Sequence, residues 1–154
     1  MTSAHAHPRV ITSPPEVPLV PFVELFDGRL QGIVAASGVL DRVHVTLVEA
    51  HTGNWACSTG HQPCPHTLEG TAPCAHVRAL VASAVEDFGA ERIAHFLGHP
   101  ELRREPWRLV SELVGTSIDD DGTAVFVRFL DYLRYVQLPS GVQPPSGLVW
   151  FSSR

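Results

Sequence analysis

The chain has 154 residues, 44% of them hydrophobic and 18% charged, with a formal net charge of −5. That length and apolar content suit one domain with a core of its own, and exclude a disordered composition. The acidic balance argues against a strong sequence-independent DNA binder, which would carry a basic patch or stripe.

Residues 1–21 carry five prolines and little periodicity, and predict an extended arm. His5 and His7 on this arm could bind metal, but are expected to be solvated side chains of a terminal tail. Phe22 to Phe26 reads as a short strand closed by the turn dipeptide Asp27-Gly28, and Leu30 to Ala36 as a second. Residues 42–50 form the clearest strand. Val43, Val45 and Leu47 alternate with Arg42, His44 and Thr46. His51 to Asn54 is a hairpin loop, and Asn54 to Ser58 the returning strand. Trp55 and Cys57, two positions apart, share a face of that strand, so Trp55 is placed to shield whatever Cys57 binds.

A helix is predicted from about 74 to 88. Pro73 suits a helix entry, where its missing N–H is not needed. Val77, Leu80, Val81, Ala84, Val85 and Phe88 then recur at helical spacing. Gly89 ends or kinks this helix, and residues 90–97 resume it until Gly98-His99-Pro100 stops it. A further helix is expected within 101–114, with Pro106 a candidate start. Residues 124–138 form another, because Arg128, Asp131, Arg134 and Gln137 recur every third position. Asp119-Asp120-Asp121 lacks the full calcium-loop pattern and reads as an acidic cap on that helix. Val125, Phe126, Phe129, Tyr132, Leu133 and Val136 are expected to pack against the 74–88 helix. Residues 148–152 read as a final strand.

All three cysteines, Cys57, Cys64 and Cys74, lie within twenty positions of one another together with His61, His66 and His76. An odd cysteine count clustered with histidines favours a metal in a reducing cytoplasm over a disulfide framework. Thiolate and imidazole suit tetrahedral Zn²⁺, and a Cys₃His shell is a common closed form. The expected ligands are Cys57, Cys64, Cys74 and His76, with His61 and His66 as alternatives to Cys64. Three thiolates and one neutral imidazole leave such a site a net charge of about −1, which Arg78 is near enough in sequence to offset.

Cys74-Ala75-His76 at a helix start, after a hairpin whose second strand carries Cys57, resembles the SWIM-type zinc finger. That family's pattern is Cys-x-Cys, a variable spacer, then Cys-x-His on a strand-strand-helix unit. The second half matches at Cys74 and His76. In the first half Thr59 stands where the second cysteine belongs, and Cys64 comes after six intervening residues. The resemblance covers roughly residues 40–88. It implies a structural zinc and an accessory factor that contacts protein or DNA partners.

The expectation is therefore an α+β fold: a small antiparallel β-meander with a zinc-pinned loop leading into a helix, then a helical C-terminal part ending in a short strand. The arm spans 1–21, the zinc-binding β/α module 22–98, and the helical extension 99–154. The expected function is non-enzymatic, as an interaction module with a protein partner, or with DNA as part of a complex. One alternative is a winged-helix-like DNA-binding regulator built on the C-terminal third. Another is a zinc hydrolase with Glu69 as base. The zinc-deaminase and His-Glu-x-x-His patterns are both absent. No apolar run reaches the roughly 18 residues of a spanning helix, and no signal-peptide pattern opens the chain, so a cytoplasmic protein is expected.

Overall fold

A computed structural model describes residues 18–35, 43–65, 72–105, 108–109, 112 and 115–136. Five strands run in the order β1 (Leu19–Phe26), β2 (Arg29–Ala35), β3 (Val43–Glu49), β4 (Trp55–Thr59) and β5 (Gln62–Pro63), each antiparallel to the next. Helices α1 (Ala75–Phe88) and α2 (Ala90–Phe96), a 3₁₀ segment (Pro100–Arg104) and α3 (Thr123–Val136) complete an α+β fold. Among the described residues no helix is long and apolar enough to cross a membrane.

The turns follow from their residues. Asp27 and Gly28 both take positive φ, 50° and 70°, between the paired Phe26 and Arg29. Two such residues give a turn whose twist matches the strands it joins. Gly60 and His61 do the same between β4 and β5, at 54° and 66°. Gly89, at φ 88°, separates α1 from α2.

The meander is covered on both faces. Toward α1 and α2 it presents Val23, Leu30, Val34, Val48, Trp55 and Cys57, which pack with Val77, Leu80, Val81, Ala84, Ile93 and Leu97. Toward α3 it presents Phe22, Ile33, Leu47 and Ala56, which pack with Val125 and Phe129. The α3 residues therefore do not pack on the 74–88 helix, as the sequence led us to expect. They lie across the sheet from it. The reason is visible in β1 and β2, where neighbouring positions such as Phe22-Val23 and Ile33-Val34 are all buried. A strand with apolar residues on both faces needs cover on both.

A buried ion pair fixes α3 to its face. Arg128 donates from Nε and Nη2 to the two carboxylate oxygens of Glu24 at 2.5 and 2.8 Å. Gln31 Nε2 donates to Glu24 at 2.6 Å, and the Arg128 guanidinium lies 3.5 Å from the centroid of the Phe26 ring. Glu24 raises the Arg128 pKa further above its ordinary value. Just before α3, Asp120 accepts from the Gly122 N–H at 2.8 Å, and Asp121 from the N–H of Thr123, the first helical residue, at 3.0 Å.

Other expectations shift. β1 begins at Leu19, so residues 19–21 belong to the sheet rather than the arm. Pro21 is tolerated because β1 is an edge strand with an irregular register between Leu19 and Phe22. Residues 100–104 are 3₁₀ rather than α-helical. Glu105 then leaves helical geometry, with φ −129° and ψ 62°, and the proline that follows it in sequence disfavours the α region there. A helical bond follows from the Glu112 N–H to the Arg108 carbonyl at 2.9 Å. The 148–152 strand, His5, His7, Arg42, Glu69 and most of the 1–21 arm lie outside the described residues.

Candidate metal centre

Three elements meet at one end of the sheet. β4 carries Cys57, the end of the β4–β5 hairpin carries Cys64, and the start of α1 carries Cys74 and His76. The hairpin explains its own cysteine spacing. Ser58 pairs with Pro63 and Thr59 with Gln62 around the Gly60-His61 turn. The next position out sets Cys57 opposite Cys64, and the Cys64 N–H donates to the Cys57 carbonyl at 2.8 Å. Six intervening residues are what a two-residue turn with two flanking pairs requires.

Cys74 is the N-cap of α1, and its extended backbone (φ −67°, ψ 169°) turns the chain into the helix. His76 follows within the first turn. Its Nδ1 lies 3.7 Å from Cys57 Sγ, 3.7 Å from Cys64 Sγ and 3.8 Å from Cys74 Sγ. All three thiols are buried and free of disulfides.

A fifth donor comes from β3. His44 pairs with Val34 of β2 and lies on the Thr46 face, and Thr46 pairs with Cys57. Its Nδ1 is 3.8 Å from Cys57 Sγ. Its ring stacks on that of His76, with centroids 3.6 Å apart and planes 14° from parallel. His44, Cys57, Cys64 and His76 each offer a donor atom within 4.8 Å of the others, and could hold a metal ion.

The thiols are electrostatically uneven. The Cys74 thiol is held down to about 3, first by the hydrogen bond from the Cys57 thiol, against the cost of burial, then by His76 and by the N–H groups of Val77 and His76 at the helix start. Cys57 is pushed up by the same bond to Cys74, by burial and by the neighbouring sulfur charges. The two shifts run in opposite directions because the thiols share one hydrogen bond. Thiols that hold a cation must be deprotonated.

The structure thus brings together Cys57, Cys64, Cys74 and His76. It places His61 elsewhere, at the hairpin tip, with Nδ1 3.6 Å from the Asp121 carboxylate. His66 lies outside the described residues. Arg78 donates from Nε to the Pro73 carbonyl at 3.2 Å, on the loop entering α1. Trp55, on the Cys57 face, is buried in the same cluster as the thiols.

His44 is the residue sequence reasoning missed. It was read only as a polar position in an alternating strand. The signal lay in the β3–β4 register, which sets Thr46 opposite Cys57 and so His44 on the cysteine's face.

No protein-family model matches this chain, and neither a curated protein nor a solved structure matches it.

Proposed function

We propose that this chain is a non-enzymatic zinc-binding interaction module of SWIM type, with Cys57, Cys64, Cys74 and His76 as a closed structural shell. The observation that carries the reading is the set of three sulfur–nitrogen separations. A tetrahedral zinc with bonds of ~2.3 Å to sulfur and ~2.0–2.1 Å to nitrogen spaces those donors about 3.6 Å apart. The three found here are 3.7, 3.7 and 3.8 Å. The hairpin returns Cys64 to the side of Cys57, which supports giving it the second cysteine's role despite the six-residue spacer.

In this reading the zinc ties the β4–β5 hairpin to the start of α1, and its binding energy becomes folding energy. A shell of four protein ligands leaves no open position for a water or a substrate, which disfavours the hydrolase alternative. Free buried thiols suit a reducing compartment such as the cytoplasm.

Protein rather than DNA is the favoured partner. The outer face of α3 exposes Phe126, Val127 and Leu130 at 38%, 51% and 40%, and contiguous exposed apolar side chains mark interaction surfaces. Arg128 is committed to Glu24. The other arginine of α3, Arg134, has an 80% exposed side chain but pairs with Asp131 of the same helix at 3.4 Å. The winged-helix alternative needs more than that from a groove-reading helix.

The test is a mobility-shift titration of the full chain with duplex DNA at low salt, beside an activity screen of wild type and Glu69→Gln. No shift and no Glu69-dependent hydrolysis is the expected result. A shift that weakens steeply with salt would install the DNA reading, and hydrolysis lost in the Gln variant would install the enzyme.

A further inference from the structure

We propose that His44 stands outside the metal shell as its positioning residue, donating its Nδ1–H to the Cys57 sulfur and bracing the His76 ring by stacking. The inference deepens the zinc reading above and rests on it.

Five donors converge on a site for which a tetrahedral ion needs four. The ring geometry decides which one stays out. A histidine lone pair lies in the plane of its own ring. His44 and His76 are nearly parallel and 3.6 Å apart. An ion in the plane of His76 therefore sits well above or below the plane of His44, where His44 has no lone pair to offer. Cys74 has no such conflict, and its sulfur is at the same range from His76 Nδ1 as the other two thiols.

What remains to His44 is a hydrogen bond. Its Nδ1 is 3.8 Å from Cys57 Sγ, within reach of an N–H to sulfur contact. Three thiolates around a dication leave one excess negative charge among buried side chains. An N–H on one of those sulfurs spreads that charge and lowers the sulfur's electron density. The stack limits the rotation of His76, so that Nδ1 stays aimed at the three sulfurs. Both contacts come from β3, which pairs with β2 at His44 itself and with β4 from Val45 onward, so the donor sits on a paired strand. Outer partners of this kind fix ligand orientation and tune the metal.

The test uses the full chain loaded with cobalt, then zinc, as wild type, His44→Phe and His44→Gln. Phe keeps an aromatic ring without the donor, and Gln keeps an N–H without the ring. In His44→Phe, the cobalt ligand-field bands of a three-sulfur, one-nitrogen tetrahedron stay in place, while the sulfur-to-cobalt charge-transfer band moves to longer wavelength. Alkylation of Cys57 by N-ethylmaleimide in the zinc form accelerates several-fold, and zinc affinity by chelator competition falls by about 10- to 100-fold. His44→Gln restores slow alkylation. If His44→Phe changes the ligand-field bands to those of a shell short of one nitrogen, His44 is a ligand and the proposal is overturned while zinc binding stands. Unchanged charge transfer and alkylation in His44→Phe also overturn it. A two-sulfur, two-nitrogen wild-type spectrum would likewise place His44 in the shell and overturn the proposal, whereas a wild-type chain that takes up neither cobalt nor zinc would remove the zinc reading beneath it.

Discussion

Cys57 and Cys64 face each other across the β4–β5 ladder, joined by the Cys64 N–H to Cys57 carbonyl bond at 2.8 Å. The relationship depends on an even count of residues around the Gly60-His61 turn. Side chains alternate along a strand, so one added residue sends every later side chain to the opposite face. Inserting a single glycine after Gly60 is expected to abolish stoichiometric zinc binding. Replacing Gly60-His61 by Asn-Gly, which suits the same turn, is expected to keep it. Zinc per chain by mass spectrometry distinguishes the two, and equal zinc in both would show that the hairpin register does not matter.

Removing the metal should loosen the module more than a peripheral ion would. The cluster joins β4, β5 and α1, and its sulfurs lie within the core that also holds Trp55 and Leu80. Stabilisation by a ligand scales with its occupancy of the folded state. A strong chelator is expected to lower the thermal midpoint markedly, and added zinc to restore it. A midpoint unmoved by chelation would mean that the thiols carry no metal that matters to folding.

The Glu24–Arg128 pair is a stability prediction independent of the metal. Glu24 is fully buried and Arg128 is its charge partner. Deleting one member of a buried pair strands the other and costs about 3–5 kcal/mol. Arg128→Ala should therefore lose a large part of the unfolding free energy in urea, with zinc content unchanged in the folded fraction. A loss below about 1 kcal/mol, as found for exposed pairs, would contradict the buried geometry.

Gly32 tests the close approach of the Phe22 carbonyl, with Leu80 of α1 beside it, to β2. A methyl group there would meet the Phe22 carbonyl oxygen inside contact distance and lie 2.7 Å from Leu80 Cδ1. Gly32→Ala is expected to destabilise by about 1–3 kcal/mol, the range for overpacking. Melting followed by circular dichroism reads this directly, and a neutral or stabilising outcome would mean that the Phe22 carbonyl of β1 does not approach Gly32 this closely.

Asp121 gives a pH dependence of known sign. The Thr123 N–H holds its carboxyl below the ordinary carboxylate value, with His61 adding to the effect. A depressed carboxylate contributes stability that is present above its unfolded pKa and lost as pH falls through the folded one. Asp121→Asn should therefore narrow the stability difference between neutral and acid pH. An unchanged acid-unfolding profile would show that the cap carries no weight.

Much of the meander was legible because its signals are local. Asp27-Gly28 and the Val43-Val45-Leu47 alternation each act within a few residues, and Pro73 and Gly89 bracket α1. The cysteines and His76 could be grouped because they fall within twenty positions. What could not be read was long-range. Glu24 and Arg128 are 104 positions apart, and nothing near either announces the other. The side on which α3 packs follows from that pair and from Phe22, Ile33 and Leu47, not from the helix's own periodicity. His44 was hidden for a related reason. Its strand was legible, but its neighbour Cys57 is thirteen positions on, and only the paired register brings them together.

Whether three sulfurs and one nitrogen close around a zinc ion is read most directly by zinc K-edge X-ray absorption on the 154-residue chain purified without a histidine tag, with zinc per chain counted on the same sample. One zinc, three sulfur neighbours near ~2.3 Å and one nitrogen near ~2.0–2.1 Å is the expected result. Two sulfurs with two nitrogens would put His44 in the shell in place of Cys74. Two sulfurs with an oxygen neighbour would mean an open site, and no zinc at all would contradict the account.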